Sequence, residues 1–202
     1  MRSFRLLPWA LATILVLPAP LSAQPLISKS YSYFWIGGKT AEDLDDELER
    51  HGPVTKTTGS RHPGATEIKF GGEVSYVEKA GRCSIGTAKV TLRTHLILPR
   101  WKNRRSADGT LAMIWDALAA DIKRHEERHA EIARNHARSL ERKLLALRPT
   151  SGCDNLEKRV SEVTQDAISA HDREQQQFDA VESANFDSRI MRVLKNRTRA
   201  GN

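Results

Sequence analysis

His125-Glu126-Glu127-Arg128-His129 reads H-E-x-x-H. On a helix, residues four apart stack on one face. Both imidazoles could therefore reach one Zn²⁺, and Glu126 would stand beside it, placed to take a proton from a bound water. The metal lowers the pKa of that water from about 15.7 towards about 7, which makes hydroxide available at neutral pH. The chemistry this spacing points to is metal-assisted hydrolysis, with a peptide bond as the first substrate to consider.

A catalytic zinc usually takes three protein ligands and keeps one position open. The pentapeptide supplies two. The longer pattern H-E-x-x-H-x-x-G-x-x-H fails, because Ile132 and Asn135 stand where it needs Gly and His. His136 lies about 10 Å along a continuous helix from His129, too far to share the ion. It reads as a packing or supporting residue. The third ligand has to come from another segment.

The element that must carry the pentapeptide is a helix running from Asp108 to Leu147. This stretch contains no Pro, and Leu111, Ile114, Leu118, Ile122, Ile132, Leu140, Leu144 and Leu147 recur at helical spacing. His125, His129 and His136 fall into gaps in the same stripe. Asp108 suits the N-cap, and Pro149 with Gly152 ends the run. A second long helix is predicted from about Asp154 to beyond Phe178, with Leu156, Val160, Val163, Ala167, His171, Phe178 and Val181 along one stripe. The short connection makes the two helices an antiparallel pair. Counting back from the turn, the level of His129 is met between Asp172 and Glu182. His171, Asp172, Glu174, Asp179 and Glu182 are the candidate ligands in and beside that window.

Upstream, the chain reads as strands. Tyr31 to Ile36 is aromatic-rich, Thr66 to Phe70 and Glu73 to Glu78 flank Gly71-Gly72, and Lys89 to Leu98 alternates cleanly. Thr40 can cap a short acidic helix whose apolar face is Leu44 and Leu48, with Gly52-Pro53 as its stop. Strands followed by helices argue for an α+β fold: a small antiparallel sheet of three or four strands, then a long antiparallel helical hairpin.

Residues 1–23 read as an export signal. Arg2 and Arg5 precede the apolar run Leu6 to Leu17, and Leu21-Ser22-Ala23 offers a cleavage site after Ala23. The apolar run is too short to span a bilayer, so no membrane span is expected after cleavage. Residues 24–188 then form one domain and 189–202 a basic tail containing Arg189, Arg192, Lys195, Arg197 and Arg199. The formal charge is +7, or about +5 without Arg2 and Arg5. The tail reads as a solvated terminus, and no nucleic-acid motif accompanies it. The location expected is the periplasm or the medium. There, Cys83 and Cys153 read as one disulfide closing a loop of roughly 70 residues, with a contribution of about 4 kcal/mol on the chain-entropy model. Zinc ligation by the two thiols is the competing use.

These features also occur together as a set. An aromatic strand is followed by Gly37-Gly38-Lys39-Thr40, then by Cys83, by Leu98-Pro99-Arg100-Trp101, and by Trp115 ahead of H-E-x-x-H. Cys153 then opens the last helix. The set resembles a bacterial family described as predicted secreted zinc-dependent proteases and catalogued as a domain of unknown function. The resemblance covers roughly Tyr31 to Phe186. It implies His125 and His129 as ligands and Glu126 as general base. The family also carries a segment like Y-D-x-x-T-x-H-G near the end of its last helix. The corresponding residues here are Phe178 to Asn185, with Asp179 kept, Phe178 at the Tyr position and Ala184 at the His position. The resemblance thus makes Asp179 the foremost third ligand, with Glu182 and His171 behind it. The function it implies is an exported Zn²⁺-dependent metallopeptidase acting on a peptide or protein. The alternative is a non-catalytic zincin-like module that binds zinc or a peptide in the envelope.

Overall fold

The computed structural model describes residues 24–55 and 59–200. The export signal of residues 1–23 lies outside the described residues. The elements are β1 (Leu26–Ile36), α1 (Ala41–His51), β2 (Ala65–Lys79), β3 (Arg82–Trp101), α2 (Gly109–Leu145), β4 (Thr150–Ser151) and α3 (Cys153–Ala200). The α+β class holds, with the sheet first and the helical hairpin after it.

β3 is the centre of the sheet. It pairs antiparallel with β2, from Ala65 opposite Ile97 to Lys79 opposite Arg82. Its other side pairs with β1, and that pairing is parallel, from Leu26 opposite Thr91 to Ile36 opposite Trp101. The sheet is therefore mixed, where the sequence suggested an antiparallel one. Local pattern reports that a strand exists but not which way its partner runs. The two strands expected around Gly71-Gly72 are one continuous strand. A Cβ on Gly72 would lie 2.6 Å from the Lys89 carbonyl, and one on Gly71 would lie 2.8 Å from Thr91 Oγ1. These glycines admit a close approach of β3 and do not end β2. The turn into β3 is Ala80-Gly81, with φ of 52° and 72°, the left-handed pair that suits a tight hairpin.

α2 lies on the face of the sheet where Val90, Leu92, Thr94, Leu96 and Leu98 are buried. Its first turn is capped by Asp108 Oδ1, which accepts from Thr110 N and Leu111 N at 2.9 Å each. The buried apolar residues fall into two clusters. One gathers Ile36, Leu44, Leu48, Trp101, Trp115 and Ile122 around the early part of α2. The other gathers Leu92, Ala133, Ala137, Leu140, Leu144 and Ala167 beneath the α2–α3 turn. The small side chains in the second cluster let α2 and α3 approach closely. Glu141, 1% exposed, accepts a hydrogen bond from Val90 N at 2.8 Å. Val90 pairs with Gly72 of β2 but stands one residue before β3 meets β1, and the carboxylate binds its N–H where the β1 pairing has not yet begun.

The Cys83–Cys153 disulfide joins the start of β3 to the start of α3, with Cα atoms 5.0 Å apart. Zinc ligation by these thiols is thereby excluded. α3 does not stop near residue 188. It continues through Ala200, so the residues expected as a basic tail are largely the last turns of a helix. At the start of this stretch Arg189 donates to Asp121 Oδ1 and Oδ2 at 2.8 and 3.0 Å, which ties α3 to α2 there.

Candidate functional site

The pentapeptide lies between the two apolar clusters, in the middle third of α2. Helical spacing places His125 and His129 over one another, with Nε2 atoms 2.9 Å apart. α3 runs antiparallel alongside and brings Asp179 to both. Asp179 Oδ1 is 3.3 Å from His125 Nε2 and 3.0 Å from His129 Nε2. His125, His129 and Asp179 thus point three donor atoms at one spot. The side chains of His125 and Asp179 are partly open to water, at 27% and 53% exposure, so a small molecule can reach them.

Each charge state follows from its neighbours. Burial pushes the Asp179 carboxyl up, but hydrogen bonds with His125 and His129 outweigh it and hold the group well below the ordinary carboxylate range. Burial lowers the His129 imidazole, and the bonds to Asp179 and Gln175 more than reverse this, so the net direction is up. Glu126 is 5% exposed. Its pKa is raised, chiefly by burial, against smaller opposing effects of the Thr66 hydroxyl and the two imidazoles. Thr66, near the start of β2, donates to Glu126 Oε2 at 2.8 Å and to the Glu126 carbonyl at 3.0 Å. Gly64 matters for the same carboxylate. A Cβ there would lie 3.0 Å from Glu126 Oε1, so the glycine leaves room for it.

His171 and Glu182, the two candidates ranked behind Asp179, are placed differently. His171, 5% exposed, turns Nδ1 to its neighbour Asp172 at 2.9 Å and Nε2 to Gln175 at 2.9 Å. Both of its nitrogens are engaged away from the cluster. Glu182 is held by Arg124 and by Arg189. It stands 3.8 Å from His125 Nδ1, on the ring nitrogen opposite the one that faces Asp179. It supports that imidazole electrostatically and does not join the donor set. His136 pairs with Glu174 at 2.8 Å, apart from the cluster.

Glu127 points the other way, to Lys29 and Tyr31 of β1, and so fixes α2 on the sheet. Phe178 stacks on His125, with ring centroids 4.9 Å apart, and meets His129 edge-on at 5.1 Å. It closes one side of the imidazole pair with an apolar wall. Three contributors escape sequence reading: Thr66, Gln175 and Arg189. Gln175 carries a faint signal, since it lies four residues after His171 and four before Asp179 on one helix face. Thr66 carries none.

A family model described as "Bacterial protein of unknown function (DUF922)" matches residues 31–186. The chain belongs to this DUF922 family. The match spans every element from within β1 to most of α3, and so contains Thr66, the whole pentapeptide, Gln175 and Asp179. Arg189 lies beyond its end. No curated protein matches the chain, and no solved structure does either. The family description assigns no activity, so the functional reading rests on the chemistry of the residues.

Proposed function

We propose that this DUF922 protein is an exported zinc-dependent metallopeptidase. The observation that carries the reading is the convergence of His125 Nε2, His129 Nε2 and Asp179 Oδ1 beside a buried glutamate. A tetrahedral zinc with bonds of about 2.0–2.1 Å separates its ligand atoms by about 3.3 Å. The separations here are 2.9, 3.0 and 3.3 Å, so the donor set fits in both type and spacing. His125, His129 and Asp179 would hold the ion.

When bound, zinc would act as a Lewis acid and make a water nucleophilic at neutral pH. The rest is the work of side chains. Glu126 is the general base. Its raised pKa brings it towards the range in which a carboxylate takes a proton and later returns it to the leaving amine. Thr66 occupies one of its oxygens and fixes its orientation. Phe178 supplies an apolar wall and carries no phenolic hydroxyl with which to hold an oxyanion; a bound zinc would supply that stabilisation. β1 has no strand partner on its outer edge among the described residues, and Tyr31, Tyr33 and Trp35 are exposed along it. An extended peptide could add there. The Cys83–Cys153 bond supports an oxidising, exported location. No helix among the described residues is long and apolar enough to cross a membrane.

The test is a paired measurement on purified protein. Wild type should take up one zinc and cleave a mixed peptide library. Glu126→Gln should keep the zinc and lose cleavage by at least about a hundredfold. Undiminished cleavage by Glu126→Gln would overturn the mechanism.

A second reading is favoured by two substitutions in the last helix. Where the family resemblance implies Tyr and His, Phe178 stacks on a ligand and Ala184 offers no donor. A non-catalytic module that binds zinc or a peptide in the envelope fits both. It predicts zinc uptake with no turnover on the same library.

A further inference from the structure

One side chain reaches both sides of the hairpin. Gln175 Nε2 lies 3.1 Å from the His129 carbonyl oxygen and 2.9 Å from His171 Nε2. Its Oε1 lies 2.5 Å from His129 Nδ1. These contacts fix the amide without appeal to hydrogen positions. A carbonyl oxygen only accepts, so the atom facing it must be the NH₂ group. Oε1 is then the atom at His129, and it also only accepts, so His129 Nδ1 must carry a proton. The second amide hydrogen goes to His171 Nε2, which must accept. The His171 proton is therefore on Nδ1, where it donates to Asp172 Oδ1 at 2.9 Å.

The chain of bonds is directional from end to end: His129 to Gln175, Gln175 to His171, His171 to Asp172. Reversing the amide would set NH₂ against His129 Nδ1 and Oε1 against the His129 carbonyl, two acceptors face to face. A buried mismatch of that kind leaves polar groups unpaired and disfavours the reversed amide. Phe70 packs edge-on against His171 at 5.0 Å and keeps that ring in place. His125 is held differently: Phe178 stacks on its ring, and its Nδ1 faces Glu182 at 3.8 Å.

We propose that Gln175, backed by His171, is the positioning residue for His129: it keeps the proton on Nδ1 and turns Nε2 to the site shared with His125 and Asp179. What His129 does with Nε2 rests on the zinc-site reading above. The protonation pattern does not. A histidine ligand whose far nitrogen is bonded to an acceptor is held in one tautomer and one rotamer, and losing the acceptor typically weakens metal binding tenfold to a hundredfold. The hydrogen bond is made inside the hairpin, so the packing of α3 on α2 also sets the geometry of the site.

The experiment uses purified protein labelled with ¹⁵N-histidine, zinc-free and zinc-loaded. Long-range ¹H–¹⁵N spectra read the His129 nitrogens, and competitive titration reads zinc affinity. Wild type should carry a proton on His129 Nδ1 in both states. Gln175→Leu should lose that signature, with the zinc Kd rising about tenfold to a hundredfold. Gln175→Glu keeps an acceptor at His129 Nδ1 but loses the amide donation to the His129 carbonyl and to His171; it should restore the Nδ1 proton, with a zinc Kd between those of Gln175→Leu and wild type. An unprotonated Nδ1 in wild type would overturn the assignment. So would a folded Gln175→Leu with the wild-type spectrum and affinity. If Gln175→Leu does not fold, the wild-type spectrum and Gln175→Glu decide in the same way. If wild type takes up no zinc, the metallopeptidase reading fails on its own, and the zinc-free spectrum still decides the role of Gln175.

Discussion

The two ends of the α2–α3 hairpin are held by different forces. At the turn, Leu140, Leu144 and Leu156 are buried, Ala133, Ala137 and Ala167 allow close packing, and the Cys83–Cys153 bond ties the turn to the sheet. At the open end, the helices meet through charge. Asp121 of α2 binds Arg189 of α3, and Glu182 of α3 binds both Arg124 and Arg189. The candidate metal cluster lies between these regimes, at the level where packing gives way to polar contacts. A site there gains rigidity from the packed end and openness from the other. Cation binding would add a cross-link where apolar contact runs out.

If this contrast is right, damage to the packed end should cost stability and spare the site. Leu140→Ala should lower unfolding stability by about 2–5 kcal/mol, read by chemical denaturation, while zinc affinity stays near wild type. Removing the disulfide as Cys83→Ala with Cys153→Ala should cost about 2–5 kcal/mol, again with the zinc site intact in the protein that remains folded. A large loss of zinc affinity in either variant would show that the ends are not separable. Arg189→Ala attacks the open end. It should cost less, about 1–3 kcal/mol, but should loosen Glu182 behind His125 and weaken zinc binding measurably. Equal zinc affinity in this variant would remove Arg189 from the account of the site.

The smallest expected effect is that of acid on the zinc-free protein. Burial pushes the Asp121 carboxyl up, but hydrogen bonds from Arg189 and Arg124 bring it below its ordinary value. A carboxylate held lower in the fold than in the unfolded chain stabilises fully above the unfolded pKa of about 3.9. That contribution is lost as pH falls through the folded value. Below about pH 4, the protection of backbone amides against hydrogen exchange, relative to their intrinsic rates, should therefore fall in α3 around Arg189 before it does around Leu156. Uniform loss of protection along α3 would contradict this.

Much of this arrangement is legible in the residues, and the unreadable part has a common cause. The Asp108 cap, the i,i+4 imidazoles and the short Pro149–Gly152 connection are local features, so their geometry follows from helix periodicity alone. That periodicity also brought Asp179 within the window opposite His129. The parallel pairing of β1 and the continuity of β2 through Gly71-Gly72 depend on what the neighbouring strand does. Thr66 and Gln175 are ordinary polar residues until tertiary contact brings them to Glu126 and His129. Arg189 read as one of several solvated charges, because the pattern gives no sign that Asp121 waits opposite it.

The central claim is that His125, His129 and Asp179 bind one metal ion together. Zinc analysis of purified protein, before and after reconstitution, tests it most directly when His129→Ala and Asp179→Ala are measured beside wild type. The account predicts one zinc per chain in wild type and a sharp loss of affinity in both variants. Absence of zinc from reconstituted wild type, or full zinc content in Asp179→Ala, would contradict it.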